Sequence, residues 1–212
     1  MARTRILVAD DHKIILDGLK RLLEAEFDVV GTAEDGKALV SEAARLRPEV
    51  LVVDISMPGL NGIDAFREIR KIAPGIRAVF LTMHHDADYA AKAFEVGASG
   101  YVLKESALGE LVTAIWEATA GRTYVSPLIA GELMTVYREG TKGTGPAAKL
   151  TERRRDILQL LVEGYTAKAI ASKLQISPRT VEFHKYNMMA EWNLSTTAEL
   201  IQFAIKHELA SI

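Results

Sequence analysis

Apolar and polar positions follow two rhythms along this chain, and the switches between them outline its architecture. Arg5-Ile-Leu-Val-Ala9 is a short apolar run that stops at Asp10-Asp11. Beyond it, Ile14, Ile15, Leu19, Leu22 and Leu23 recur at helical spacing. Phe27-Asp-Val-Val-Gly-Thr32 reads as a second strand. Ala38, Leu39, Ala43 and Leu46 mark a second helix, stopped before Pro48. Val50-Leu-Val-Val-Asp54 is a third strand, which ends abruptly at a carboxylate, with Pro58 and Gly59 close behind. A run this apolar is buried on both faces, as in a parallel sheet. The pattern then predicts helix over 62–72, strand over 78–82, helix over 86–96, strand over 100–103 and helix over 108–120. Five strands alternating with helices predict an α/β unit with a five-stranded, doubly wound parallel sheet, because parallel neighbours need crossover connections.

The rhythm then changes. Ser126-Pro127 opens a helix to about residue 137. Arg138-Glu-Gly-Thr-Lys-Gly-Thr-Gly-Pro146 has three glycines, a proline and no large apolar residue, which is linker composition. From Leu150 onward only helical periodicity remains. Thr151 is placed to cap a first helix and Gly164 to end it. Thr166 caps a short second helix with Ile170, Ala171 and Leu174 inward. Ser177-Pro178 starts a third, with proline at the first helical position. A last helix runs from about 197 to 207. These breaks divide the chain into 1–123, a connecting helix and linker over 124–149, and a small all-α unit over 150–212. Short helices joined by tight turns suggest a helix-turn-helix whose third helix enters the DNA major groove.

Charge supports the division. Residues 1–137 hold 15 Lys+Arg against 20 Asp+Glu, a balance of −5, and residues 147–212 hold 9 against 7, a balance of +2. An acidic part joined to a mildly basic one implies different partners. The 212 residues include no cysteine, which excludes disulfides, thiolate metal sites and cysteine nucleophiles. No apolar run is long enough to span a membrane, and the first residues lead into a strand without a signal-like apolar region. A cytoplasmic protein without membrane partners is expected.

The candidate chemistry lies at the strand ends. Asp10 and Asp11 follow the first strand, Asp54 ends the third, Thr82 ends the fourth and Lys104 follows the fifth. A parallel sheet brings these ends to one edge, where open α/β sheets place their ligands. Asp54 by itself reads equally as a loop or helix-capping aspartate. Three carboxylates in one small space repel each other, so a cation is expected there, and oxygen-only ligands favour Mg²⁺. The lysine and the threonine hydroxyl would suit an anion attached to one of the carboxylates.

Asp10-Asp11-His12, Asp54-Ile-Ser-Met-Pro-Gly59, Leu81-Thr82 and Gly97-Ala-Ser-Gly-Tyr-Val-Leu-Lys104 together resemble the receiver domain of two-component response regulators, over residues 5–121. The resemblance implies a flavodoxin-like sheet. It implies that Asp54 is the nucleophile that takes a phosphoryl group from a phosphohistidine of a sensor histidine kinase. It further implies Mg²⁺ bound by Asp10, Asp11, Asp54 and the Ser56 carbonyl. Thr82 and Lys104 would hold the phosphoryl group, and Tyr101 would turn inward as Thr82 moves. The added charge would then reshape the face made by residues 86–120. Two details are unusual: Glu105 rather than proline follows Lys104, so no cis bond is expected there, and His84 lies near the pocket mouth, where an exposed histidine is the simpler reading.

The order Leu150-Thr, Gly164-Tyr-Thr-Ala-Lys-Ala-Ile-Ala171, Leu174-Gln-Ile-Ser and Thr180-Val-Glu-Phe-His184 looks like the LuxR-type output domain, and the whole chain resembles the NarL/FixJ response regulators. This implies promoter DNA as partner and a homodimer when active. Helical geometry places Val181, Lys185, Met188 and Trp192 on one side of the third helix. Arg179, Glu182, Phe183, Tyr186 and Ala190 fall on the other, which would face DNA. Thr180, Lys185 and Lys168 would reach phosphates from the rim, and Glu182 and Phe183 would touch bases.

The sequence departs from the family pattern at Arg154, where Glu is expected, at Ala167 and Ala169, at Glu182 and at Glu191-Trp192-Asn193. Each change removes a cation, adds an anion or drops a polar group near the DNA side, which weakens phosphate contact. The leading expectation is a phosphorylation-controlled transcription regulator. The alternative is a receiver with a degenerate output domain that acts through protein partners. An enzyme, such as a metal-dependent phosphatase, is disfavoured because no substrate cleft is evident beyond slow loss of the protein's own phosphoryl group.

Overall fold

The computed structural model describes residues 3–83, 85–140, 150–207 and 209–210. The expected linker over 141–149 and His84 lie outside these residues. The chain divides into two compact units, Met1–Met134 and Thr135–Ile212.

In the first unit the strands are β1 (Arg5–Ala9), β2 (Asp28–Ala33), β3 (Val50–Asp54), β4 (Arg77–Thr82), β5 (Gly100–Leu103) and β6 (Tyr124–Val125). The sheet order is β2-β1-β3-β4-β5-β6, with every pairing parallel. The helices are α1 (Lys13–Glu24), α2 (Gly36–Leu46), α3 (Gly62–Ile72), α4 (Ala87–Glu95) and α5 (Ala107–Thr119), and α6 (Pro127–Gly140) follows β6 across the unit boundary. The crossover logic of the sequence therefore holds, with one correction: the sheet has six strands, not five. β6 is two residues long, too short for any periodicity to announce it. Gly121, at φ 74°, turns the chain after α5 so that Gly100 and Tyr101 pair with Tyr124 and Val125. The Ser126 amide extends the ladder by donating to the Tyr101 carbonyl at 2.9 Å. The buried Ser126 hydroxyl then donates to the Glu110 carboxylate and lies 3.2 Å from the Ser106 hydroxyl. This network ties the start of α6 to α5.

The inward face of α1 differs from the periodic set expected. Leu16, Leu19 and Leu23 are buried, whereas Ile14 is 89% exposed and Ile15 sits at the edge. Spacings of three and four residues suit both sets, and only packing on β1 and β3 selects the line through Leu16. Helix ends follow the capping residues. Asp35 accepts from the Ala38 amide at 2.8 Å and Asn61 accepts from the Asp64 amide at 2.9 Å, so α2 and α3 start where side-chain oxygens satisfy their first amides.

In the second unit, α7 (Glu152–Val162), α8 (Ala167–Leu174), α9 (Pro178–Glu191) and α10 (Thr197–Lys206) pack around Ile157, Leu158, Leu161, Ile170, Val181, Met188 and Leu200. Thr151, Thr166 and Ser177 cap the first three and Pro178 opens α9, as the sequence predicts. Gly164 takes φ 86° just past the end of α7, the conformation for which glycine is suited.

Candidate functional site

β1, β3 and β4 are central strands with apolar side chains on both faces; β1 leads directly into Asp10, and β3 and β4 end in Asp54 and Thr82, all at the same edge of the sheet. The parallel register sets Asp54 beside Leu81 and Thr82 beside Leu103. Asp10, Asp54 and Thr82 are all buried, with Asp11 partly so. Lys104 reaches from the end of β5 to both acids, its Nζ 2.6 Å from Asp10 and 2.9 Å from Asp54. The other Asp54 oxygen accepts from the Ser56 amide at 3.1 Å. The loop after β3 thus curls back on the carboxylate it follows.

Gly62 allows that curl. A Cβ on Gly62 would lie 2.2 Å from the Asp54 carbonyl oxygen, so the first turn of α3 approaches β3 closer than any side chain permits. The Gly62 amide donates to the Ile55 carbonyl at 3.0 Å and locks the approach. The requirement was not read from the sequence, although a glycine just after the capping Asn61 was its available sign.

Electrostatics in the pocket are those of buried charges. Burial raises the Asp54 carboxyl above its usual pKa, and the Lys104 ammonium and the Ser56 amide only partly offset this. For Lys104, burial works against the charge, but the combined attraction of Asp54 and Asp10 outweighs it, and its pKa is raised. Tyr101 is fully buried and hydrogen-bonded to Thr82, and burial raises its phenol well above the usual range. The side chain named as a switch therefore stands inward in this structure, against the threonine that ends β4.

Asp10, Asp11, His12 and Asp54 offer donor atoms that all lie within 4.8 Å of one another. His12 Nδ1 lies 3.0 Å from Asp11 and 3.3 Å from Asp10. No signal in the sequence assigns His12 a role; its proximity to both acids follows from the turn into α1. The buried Asp11 Oδ1 has only the His12 ring nitrogen beside it. Carboxylate oxygens clustered this closely fit a hard divalent cation. No peptide bond is cis among the described residues, the Lys104–Glu105 bond included.

On the second unit, Arg179 and Tyr186 are exposed along α9, and Lys168 is exposed on α8. Phe183 is half-buried, its ring edge-on to His184 at 5.6 Å. Thr180, expected at the rim, is buried, with its hydroxyl 2.9 Å from that of Ser177 in the capped first turn. Lys185 Nζ lies 2.5 Å from Glu182 and 4.9 Å from the centre of the Tyr186 ring. Arg154 on α7 pairs with Glu191 on α9 at 2.8 Å. Two of the departures from the family pattern are thus the halves of one ion pair between neighbouring helices. Trp192 stacks on Phe203 of α10, ring centres 4.8 Å apart, which accounts for a third. The residues that depart from the pattern at the far end of α9 pack this unit together.

Comparison with known proteins agrees with this geometry. Residues 6–116 match the response regulator receiver domain family, and residues 148–204 match the bacterial regulatory proteins of the luxR family. The transcriptional regulatory protein MctR of Rhizobium johnstonii is 38% identical over 211 residues, covering 99% of this chain and 96% of the relative. The response regulator GacA of Pseudomonas viridiflava is 33% identical, covering 96% of each chain. Among solved structures, a LuxR-family two-component response regulator from an Aurantimonas species is 40% identical over 65% of this chain and all of that one, with a TM-score of 0.62. An RcsB–DNA complex is 26% identical over 95% of this chain and 97% of that one, also with a TM-score of 0.62. A receiver sheet with an acidic pocket, followed by a helix-turn-helix unit, defines a class, and this chain belongs to it: the NarL/FixJ-type response regulators, with a LuxR-type DNA-binding output domain. Its function is that of a DNA-binding response regulator in two-component signalling.

Proposed function

We propose that Asp54 is the phosphoacceptor through which a sensor histidine kinase controls promoter binding by this protein. The observation that carries this reading is the meeting of three strand ends at one charge cluster, with Lys104 held between Asp10 and Asp54. An Asp54 oxygen attacks the phosphorus of a phosphohistidine. The new O–P bond forms as the N–P bond breaks, and the imidazole leaves. Asp10, Asp11, Asp54 and the Ser56 carbonyl are the proposed Mg²⁺ ligands, and the ion supplies positive charge against the oxygens of the transferring group.

Lys104 then exchanges its carboxylate partner at Asp54 for the phosphoryl oxygens, which carry more charge. Thr82 offers its hydroxyl to the same group. Because Thr82 is bonded to Tyr101, a shift of the threonine alters the packing of the tyrosine under α4 and α5. DNA contact is assigned to the α9 face carrying Arg179, Glu182, Phe183 and Tyr186, with Lys185 and Lys168 at its rim, in a homodimer when active. Thr180 serves the start of α9. The proposed domains are residues 1–123 and 150–212, joined by 124–149, and the setting is cytoplasmic. No helix of the described residues is long and apolar enough to cross a membrane. Chemistry is limited to slow loss of the protein's own phosphoryl group.

Incubation of wild type and Asp54→Asn with Mg²⁺ and acetyl phosphate tests the assignment by intact mass. Wild type gains one phosphoryl group and the variant gains none. Equal labelling of the two would overturn it.

A further inference from the structure

The cations of a DNA-reading helix are ordinarily its means of engaging phosphates. In α9 they are balanced by acids of the same helix. Arg179 and Lys185 are matched by Glu182 and Glu191, so the helix carries no net charge apart from His184. The two acids differ in what they do. Glu191 holds Arg154 of α7 and closes the far end of the helix against its neighbour. Glu182 has no such task. Its partner is Lys185, three residues on along α9, at 2.5 Å.

The exposures decide what an approaching duplex meets. The Lys185 side chain is 13% exposed and that of Glu182 is 36% exposed. Lys185 is folded back between a carboxylate and the face of Tyr186, with Nζ 4.9 Å from the ring centre. Glu182 is the more exposed member of the pair. A phosphate that seeks Lys185 must compete with a carboxylate already 2.5 Å from the ammonium, and that carboxylate repels it. A pair within one helix turn whose carboxylate is open to solvent is weak enough for a ligand to break. It therefore acts as a toll on phosphate contact without abolishing it.

We propose that Glu182 is a specificity-determining residue that masks Lys185, suppressing sequence-independent binding to the DNA backbone. Only a site whose base contacts with the neighbouring Arg179, Phe183 and Tyr186 compensate for the displacement frees the lysine. The inference rests on the reading that α9 faces DNA. It assigns Glu182 a role opposite to that of a base acceptor, since a base acceptor strengthens binding and a mask weakens it.

The test uses the full chain, treated with acetyl phosphate and Mg²⁺, and a fluorescently labelled duplex of random sequence. Binding is followed by anisotropy over a series of salt concentrations for wild type, Glu182→Gln, Lys185→Gln and the double variant. Glu182→Gln is expected to bind about threefold to tenfold tighter near 0.1 M salt. Its plot of log affinity against log salt should steepen by about one unit, the signature of one more phosphate contact. The double variant should lose most of that gain, since no lysine remains to be freed. Wild-type binding with no gain and no change of slope in Glu182→Gln overturns the mask alone, and weaker binding by Glu182→Gln assigns it instead to base contact. Absence of salt-sensitive binding by every variant, down to the lowest salt, overturns the DNA-facing reading and the mask with it.

Discussion

The receiver pocket and the third helix of the output unit are both built on a lysine beside acidic side chains, yet the two arrangements differ in depth. Lys104 is 9% exposed and joins two carboxylates that are themselves buried. Lys185 is nearly as well covered, at 13%, but joins a single carboxylate on its own helix turn that is 36% exposed. In the pocket, water is excluded and one cation serves two buried carboxylates, so removal of that cation strands both. On α9, solvent reaches the carboxylate and screens the pair in part, and the same chemistry becomes a weaker, adjustable contact. A buried cluster suits a site that must hold one geometry for a reaction. A surface pair suits a site that must be displaced by a ligand.

The largest expected effect comes from the pocket. Lys104→Met leaves Asp10 and Asp54 buried without their cation, and Mg²⁺-free protein should lose about 3–5 kcal/mol of stability in urea unfolding, the range for breaking a buried pair. Added Mg²⁺ should recover part of that loss. A Lys104→Met protein as stable as wild type without Mg²⁺ would mean the two lysine environments do not differ as described. Next comes Gly62→Ala, whose methyl meets the Asp54 carbonyl at 2.2 Å. It should cost about 1–3 kcal/mol, as overpacking does, and slow phosphoryl uptake by moving Asp54.

Asp54→Asn should instead stabilise the first unit. The folded-state pKa of Asp54 is raised by burial. As pH rises from the ordinary carboxylate range through that raised value, the folded state holds the proton longer than the unfolded chain, so wild-type stability falls across this window and stays lower above it. The asparagine removes that fall, and thermal melts at a series of pH values should show the gap opening upward. The smallest effect belongs to the partly covered ion pair between α7 and α9. Arg154→Ala should lose only about 0.2–1 kcal/mol, and the exchange Arg154→Glu with Glu191→Arg should restore most of it. Failure of the exchange would argue that the pair at 2.8 Å contributes nothing.

Much of the fold was legible along the chain because its signals are local. The alternation of apolar runs with helical spacing defined β1 to β5 and their helices, and the capping residues Thr151, Thr166 and Ser177 set helix starts that side-chain oxygens enforce. The candidate pocket was legible for a related reason: in a parallel sheet, residues at strand ends share an edge whatever the connections between them. What escaped has a different physical origin. β6 owes its existence to an open edge on β5 and not to its own two residues. Leu16 rather than Ile14 faces the core because of the helix's rotation on the sheet, which spacing leaves free.

The sequence by itself therefore determined which elements form, in what order, and which chemical groups stand at their ends, since these depend on neighbours a few residues away. Tertiary structure alone decided how those groups are partnered. Lys104 is set between two acids that are 94 and 50 residues earlier in the chain, and Arg154 meets Glu191 across 37 residues. An unusual residue read alone looks like a loss, and only the packing of α7 on α9 shows its partner. Charge pairing acts through space over a few ångströms, and no local spacing encodes which distant residues will be brought that close.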